Sequence, residues 1–154
     1  MSDLVNWTND NEHGGILIST DLSLLNVAEA YDYLHKHMYW AANLQFETFQ
    51  KAVQHSAVVI AAYDTEAEGR LAGFARVVSD RATFAYLLDV FVVTEYRGQG
   101  ISKRMMRTLM DHPDLQGLRR FLLVTKDAHG LYAQFGFQPL KDEGKWMHIY
   151  NPGD

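Results

Sequence analysis

A chain of 154 residues, 47% hydrophobic and 21% charged, is long enough to bury one core and too short for two ordinary domains; its composition is that of a folded globular protein rather than a disordered one, and one domain over 1–154 is expected. With no cysteine it has no disulfide, no thiolate nucleophile and no ordinary zinc cluster, so no metal is expected. A formal charge of -5 argues against nucleic acid as the main partner, while leaving room for a local basic site that takes a small polyanion.

Near Met1 no basic region precedes an apolar run, and the apolar stretches 57–63 and 86–93 are too short to span a bilayer as helices. The expectation is a soluble, cytoplasmic protein with no membrane partner. Ile16 to Ser19 reads as a short strand. Asn26 with Glu29 three residues on has the form of a capping box, and Val27, Tyr31, Leu34 and Met38 follow at helical spacing, so a first helix runs to about His37 or Trp40. Phe46, Phe49 and Val53 give a second helix. Ala57 to Tyr63 and Leu71 to Val78 read as the two strands of a hairpin around the turn-like segment Asp64 to Gly69. Phe84 to Val93 is the longest strand candidate. It leads straight into Gly98 and Gly100 and then a helix with Ile101, Met105, Met106, Leu109 and Met110 on one face, ended by His112-Pro113. Phe121 to Thr125 reads as a buried strand, Ala128, Leu131, Tyr132 and Phe135 as a short helix closing at Gly136, and Trp146 to Tyr150 as a terminal strand. Gln138 to Leu140 adds one more short strand, for six or seven strands and four helices in an α/β (α+β) domain.

Strand, glycine turn and immediate helix place several unpaired N–H groups at one point, and the helix field there favours an anion. Gly98 and Gly100 allow close backbone approach. Lys103, Arg104 and Arg107 sit in the first two turns, where cations are disfavoured unless a polyphosphate balances them. The spacing is neither that of a Walker loop nor that of the dinucleotide fingerprint.

Arg97-Gly98-Gln99-Gly100-Ile101-Ser102 resembles the coenzyme-A segment of the GNAT family of N-acetyltransferases: Arg or Gln, two residues, Gly, one residue, Gly or Ala, with Ser102 departing at the last position. Asp89-Val90-Phe91-Val92-Val93 resembles the family's bulged fourth strand, whose backbone pairs with the pantetheine arm. Asp127 to Phe137 resembles the second cofactor segment, and the ending Trp146-Met147-His148-Ile149 looks like that of small bacterial acetyltransferases of undefined substrate. The resemblance implies a single-domain GNAT-like fold with a central mixed, mostly antiparallel sheet. It implies acetyl-CoA as cofactor, held by Phe91, Val92, Val93, Arg97, Gly98, Gln99, Gly100, Ile101, Ser102, Lys103, Asp127, Tyr132 and Phe135. The implied reaction is acetyl transfer to a primary amine of a small molecule by direct attack. A protein or peptide N-acetyltransferase and a catalytically silent acyl-CoA sensor are the alternatives, and a homodimer is in keeping with the family.

Transfer from a thioester to an amine needs a held cofactor, a deprotonated amine, a donor for the oxyanion and a proton for the departing thiolate. By resemblance Tyr132 stands near the sulfur as general acid, a role that suits a phenol protonated at neutral pH; the other reading is a core tyrosine. Relatives often carry a Glu base where Leu88 stands here, so that assignment fails. Asp89, alone in an apolar run, is a substrate-binding candidate first and a base second, or else a carboxylate that caps the bulge; strand alternation places it on the face opposite Leu88. Tyr39 and Trp40 are acceptor-binding candidates or core aromatics, and His129, three residues before Tyr132, is a lesser candidate for the base.

Overall fold

The computed structural model describes residues 14–152. Five strands form one sheet in the order β1 (Ile16–Ser19), β2 (Val58–Asp64), β3 (Arg70–Ser79), β4 (Phe84–Val92), β5 (Arg120–Leu123). The first four pair antiparallel and β4 pairs parallel with β5, so the sheet is mixed and mostly antiparallel. Among the described residues there are four α-helices: α1 (Val27–His37), α2 (Phe46–Gln54), α3 (Ile101–Met110) and the single turn α4 (His129–Ala133).

Both faces of the sheet are covered, which is why β2 and β3 are apolar without alternation. Ala30 and Leu34 of α1 and Phe49 and Val53 of α2 pack on one face against Val59, Ala61, Phe74 and Phe91. On the other, Ile101, Met105, Met106 and Leu109 of α3 and Tyr132 of α4 pack against Ile60, Ala75, Val77 and Leu87. Gly73 lets α3 come close: a Cβ there would stand 3.3 Å from Ile101 Cγ2, Met105 Cε and the Phe91 carbonyl.

Two expected strands are not formed. Gln138–Leu140 has no strand pairing, and Trp146 to Tyr150 follows the short 3-10 turn Glu143–Lys145 without joining the sheet. Its Met147 and Ile149 side chains are exposed, so although Trp146 packs on Arg120 of the edge strand β5, strand-like composition beyond it buries no face that would hold it in the sheet. The capping box is formed by half. Asn26 Oδ1 accepts from the Glu29 N–H at 3.3 Å, but the Glu29 carboxylate accepts instead from the Leu71 N–H at 3.0 Å and ties α1 to β3.

Candidate active site

The site is created by a bulge. Between the pairs Phe74–Phe91 and Arg76–Leu88, two β4 residues, Asp89 and Val90, oppose the single residue Ala75. Asp89 sits at φ 58°, a left-handed conformation that Asp tolerates better than most side chains. The extra residue reverses the facing of the rest of the strand. Ala85 and Leu87 before it, and Val90 and Val92 after it, all pack toward α3, while Phe91 and Val93 pack toward α1 and α2.

β5 follows β4 only from Phe84–Arg120 to Leu87–Leu123. β5 ends at Leu123, opposite Leu87, and among the described residues the β4 edge from Leu88 to Val92 has no strand beside it on that side. A cleft of about 270 Å³ opens there, walled by Met38 and Trp40 from the α1–α2 connection, by residues 87–90 of β4, by 123–128 after β5, and by Tyr132.

At the end of β4 the chain turns through Thr94–Tyr96 into α3. Gly98 and Gly100 stand at φ 82° and 78°, and a Cβ at either would have nothing within 4 Å, so the turn is open to a ligand. The N-cap residue Gly100 supplies no side-chain cap, so the first amides of α3 stand at the positive end of the helix without one. Lys103 and Arg107 are exposed, whereas Arg104 turns back and donates to the Ile16 carbonyl at 2.9 Å. Arg104 therefore anchors α3 to β1, and the sequence-based placing of three cations around a polyphosphate loses one.

Of the residues expected to hold the cofactor, Phe91, Val93 and Ile101 are buried in the two cores and have only their backbone to offer. Val92 and Phe135 are half-buried against the α3 side. Arg97 folds back to donate from Nε to the Val92 carbonyl at 3.2 Å. Gln99 and Ser102 flank the N-cap, and Asp127 lines the cleft just ahead of α4. Of these residues Asp127, with Tyr132, lines the cleft; the glycine turn and the α3 N-terminus follow the end of β4 in the chain and are not part of its lining.

Tyr132 lies at the floor of the cleft, 7% exposed, its ring edge-on to Phe137 with centroids 6.0 Å apart. Burial raises its pKa above the ordinary value of 10.0, and among the described residues its hydroxyl has no hydrogen-bonding partner. A buried, protonated, unengaged phenol is suited to donate to something placed in the cleft. His129 is exposed at the start of α4 and does not line the cleft.

Asp89 is engaged. Its Oδ2 accepts from Arg76 Nε at 2.6 Å, with the two side chains 8% and 12% exposed, and Arg76 Nη1 donates to Ser56 Oγ at 3.4 Å. Arg76 is directly across from Leu88, and cross-strand partners share a face. The Asp89 carboxylate is thus on the Leu88 side of the sheet, and the expected alternation fails at the bulge. Trp40 lines the cleft, but Tyr39 does not and is 87% exposed. Sequence reasoning missed Arg76, although a lone Arg in one apolar strand and a lone Asp in its neighbour were a readable sign of a pair. It also missed Tyr33, which stacks on Phe91 at 4.5 Å and reaches Thr94 Oγ1 at 3.2 Å, supporting the end of β4 from α1.

The comparisons agree with this geometry. The profile of the acetyltransferase (GNAT) family matches residues 22–137. A protein of Gibberella zeae provisionally named an acetyltransferase is 30% identical over 148 residues, covering 84% of this chain and 80% of its own. A crystal structure from Xanthomonas campestris, provisionally assigned to the same family, is 46% identical and superposes with a TM-score of 0.84 over 94% of this chain and 97% of its own. Glucosamine-6-phosphate N-acetyltransferase of Arabidopsis thaliana, 16% identical over 88% of this chain and 97% of its own, shares the fold with a TM-score of 0.59. A family match across most of the chain, a close structural relative, and a glycine turn at an open helix start after a strand that β5 pairs only in part lead to one statement: this chain belongs to the GNAT family of acetyltransferases.

Proposed function

We propose that the chain uses acetyl-CoA to acetylate a primary amine of a small molecule by direct attack, with no covalent enzyme intermediate. The observation that carries this is a cleft that has the β4 residues 87–90 on one wall and the buried Tyr132 on the other, on a strand that leads directly into the uncapped α3 N-terminus. The residues fit the cofactor: the open glycine turn and the amides of Ile101, Ser102 and Lys103 suit a pyrophosphate, with Lys103 adding charge. Arg97, Gln99 and the free backbone of Phe91, Val92 and Val93 would hold the arm, with Asp127 and Phe135 on the opposite wall. When bound, acetyl-CoA supplies the activated acetyl group as a thioester. Tyr132 Oη holds the proton that the departing thiolate needs. Trp40, with Asp89 beside it, forms the acceptor side; Tyr39 joins them only if the α1–α2 connection closes over a bound acceptor.

Calorimetry with coenzyme A, followed by a turnover screen of amines, tests the reading: binding with acceptor-dependent release of coenzyme A supports it, and absence of binding refutes it. A second reading, a silent acyl-CoA sensor, is favoured by Leu88 in place of a base and by the commitment of Asp89 to Arg76; tight binding without acceptor-dependent release would establish it. Among the described residues no helix is long and apolar enough to cross a membrane, which is in keeping with a cytoplasmic site of action. A homodimer belongs to the same proposal, supported by the exposed apolar Val124, Met147 and Ile149, and is read out by sedimentation.

A further inference from the structure

The acceptor side of the cleft presents the apolar side chains of Met38, Trp40 and Leu88, and its one carboxylate, that of Asp89, is paired with Arg76. Met38 and Trp40 form one wall and Leu88 stands on the β4 wall between them and the bulge. Asp89 is the carboxylate nearest these residues in the chain, and the Arg76 guanidinium against it leaves the pair neutral toward a ligand. The other titratable groups lining the cleft are Lys126, Asp127 and Tyr132, all on the β5–α4 side. Lys126 and Asp127 are adjacent and opposite in sign, and Tyr132 is held protonated by burial. No histidine lines the cleft among the described residues; His37 is stacked on Tyr33 at 4.2 Å beside a separate hollow.

On this side of the cleft an acceptor that arrived as an ammonium ion would find no free carboxylate to hold its charge or take its proton, because Asp89 is paired and Asp127 stands on the opposite wall among the proposed cofactor residues. For an amine as basic as a lysine side chain, roughly one molecule in a thousand is neutral at pH 7. Drawing on that fraction alone would slow transfer about a thousandfold, and an amine already neutral escapes this loss. We infer that the acceptor is a weakly basic primary amine on a flat apolar group, an arylamine in chemical class, which enters as the free base and stacks on Trp40. This rests on the transferase reading above. As the N–C bond forms the thioester C–S bond breaks; one amine proton passes to water, and the sulfur takes the Tyr132 proton, which solvent restores.

The test compares p-toluidine, phenethylamine and spermidine as acceptors, with kcat/KM followed between about pH 5 and pH 10.5. At neutral pH p-toluidine exceeds spermidine by at least about tenfold, and the acid limb for phenethylamine lies at that amine's own pKa. Trp40→Ala weakens p-toluidine binding, measured by calorimetry without turnover, by about tenfold or more. A preference for spermidine, or an acid limb at the same pH for both aromatic amines, shows a site for cations or a base in the enzyme and overturns the inference while the transferase reading stands. Unchanged p-toluidine binding by Trp40→Ala also overturns it. Acetyl-CoA binding with no release in response to any of the three amines overturns both.

Discussion

Replacing Arg76 with Met keeps the aliphatic stem and removes the charge that faces Asp89. In the native chain the two side chains are 12% and 8% exposed and meet at 2.6 Å, so the variant leaves a buried carboxylate alone on a bulge. Breaking a buried pair from one side costs about 3–5 kcal/mol, because the remaining ion has lost its counter-charge and has not regained water. For a domain of 154 residues, roughly 3 kcal/mol corresponds to a fall in Tm of about 6–12 °C. Asp89→Asn should be less damaging, since Asn tolerates the left-handed backbone and carries no charge, although it leaves the guanidinium buried. The double variant Arg76→Met with Asp89→Asn should recover about 1–2 kcal/mol over the sum of the single losses. Urea unfolding followed by circular dichroism on the four proteins gives the cycle. A loss for Arg76→Met below about 1 kcal/mol, or strict additivity, would show that the pair is solvated in practice and refute the burial argument.

Tyr132→Phe should lower turnover by on the order of a hundredfold with coenzyme-A affinity nearly unchanged, measured by steady-state kinetics and calorimetry; unaltered turnover would assign the residue to the core alone. Gly73→Ala should destabilise the protein by roughly 1–3 kcal/mol in urea unfolding, because its Cβ would press on Ile101, Met105 and the Phe91 carbonyl where α3 meets the sheet. Burial holds His112 below its ordinary pKa of 6.5, so the unfolded chain takes up its proton first as pH falls. The stability it contributes is fully present above about pH 6.5 and lost as pH falls through the folded-state pKa. His112→Asn, which can still accept from the Asp114 N–H as the native ring does at 3.0 Å, should flatten that part of a urea-midpoint profile between neutral and mildly acid pH.

Much was already determined by the amino-acid sequence. Asn26 starts α1, the spacing of Phe46, Phe49 and Val53 sets α2, and the apolar face of Ile101, Met105, Met106 and Leu109 marks α3, because caps and helical periodicity are local properties. The glycine turn was legible for the same reason: Gly98 and Gly100 carry backbone conformations that few other residues adopt, and they stand just ahead of a helix. Pairing is not local. Whether Trp146 to Tyr150 joins a sheet depends on a face that it could bury there, and its composition alone could not supply one. The bulge at Asp89 was implied by the likeness of residues 89–93 to the family's bulged strand but not by the alternation of either strand; it is a register shift between β3 and β4, and it decides that the carboxylate meets Arg76 on the Leu88 side. The end of β5 opposite Leu87 then leaves room for the cleft, and Met38 and Trp40 reach it only because α1 and α2 pack across that face. The chain's local chemistry thus named its helices and its anion turn, while the acceptor side was decided by long-range strand register and by which charge found which partner.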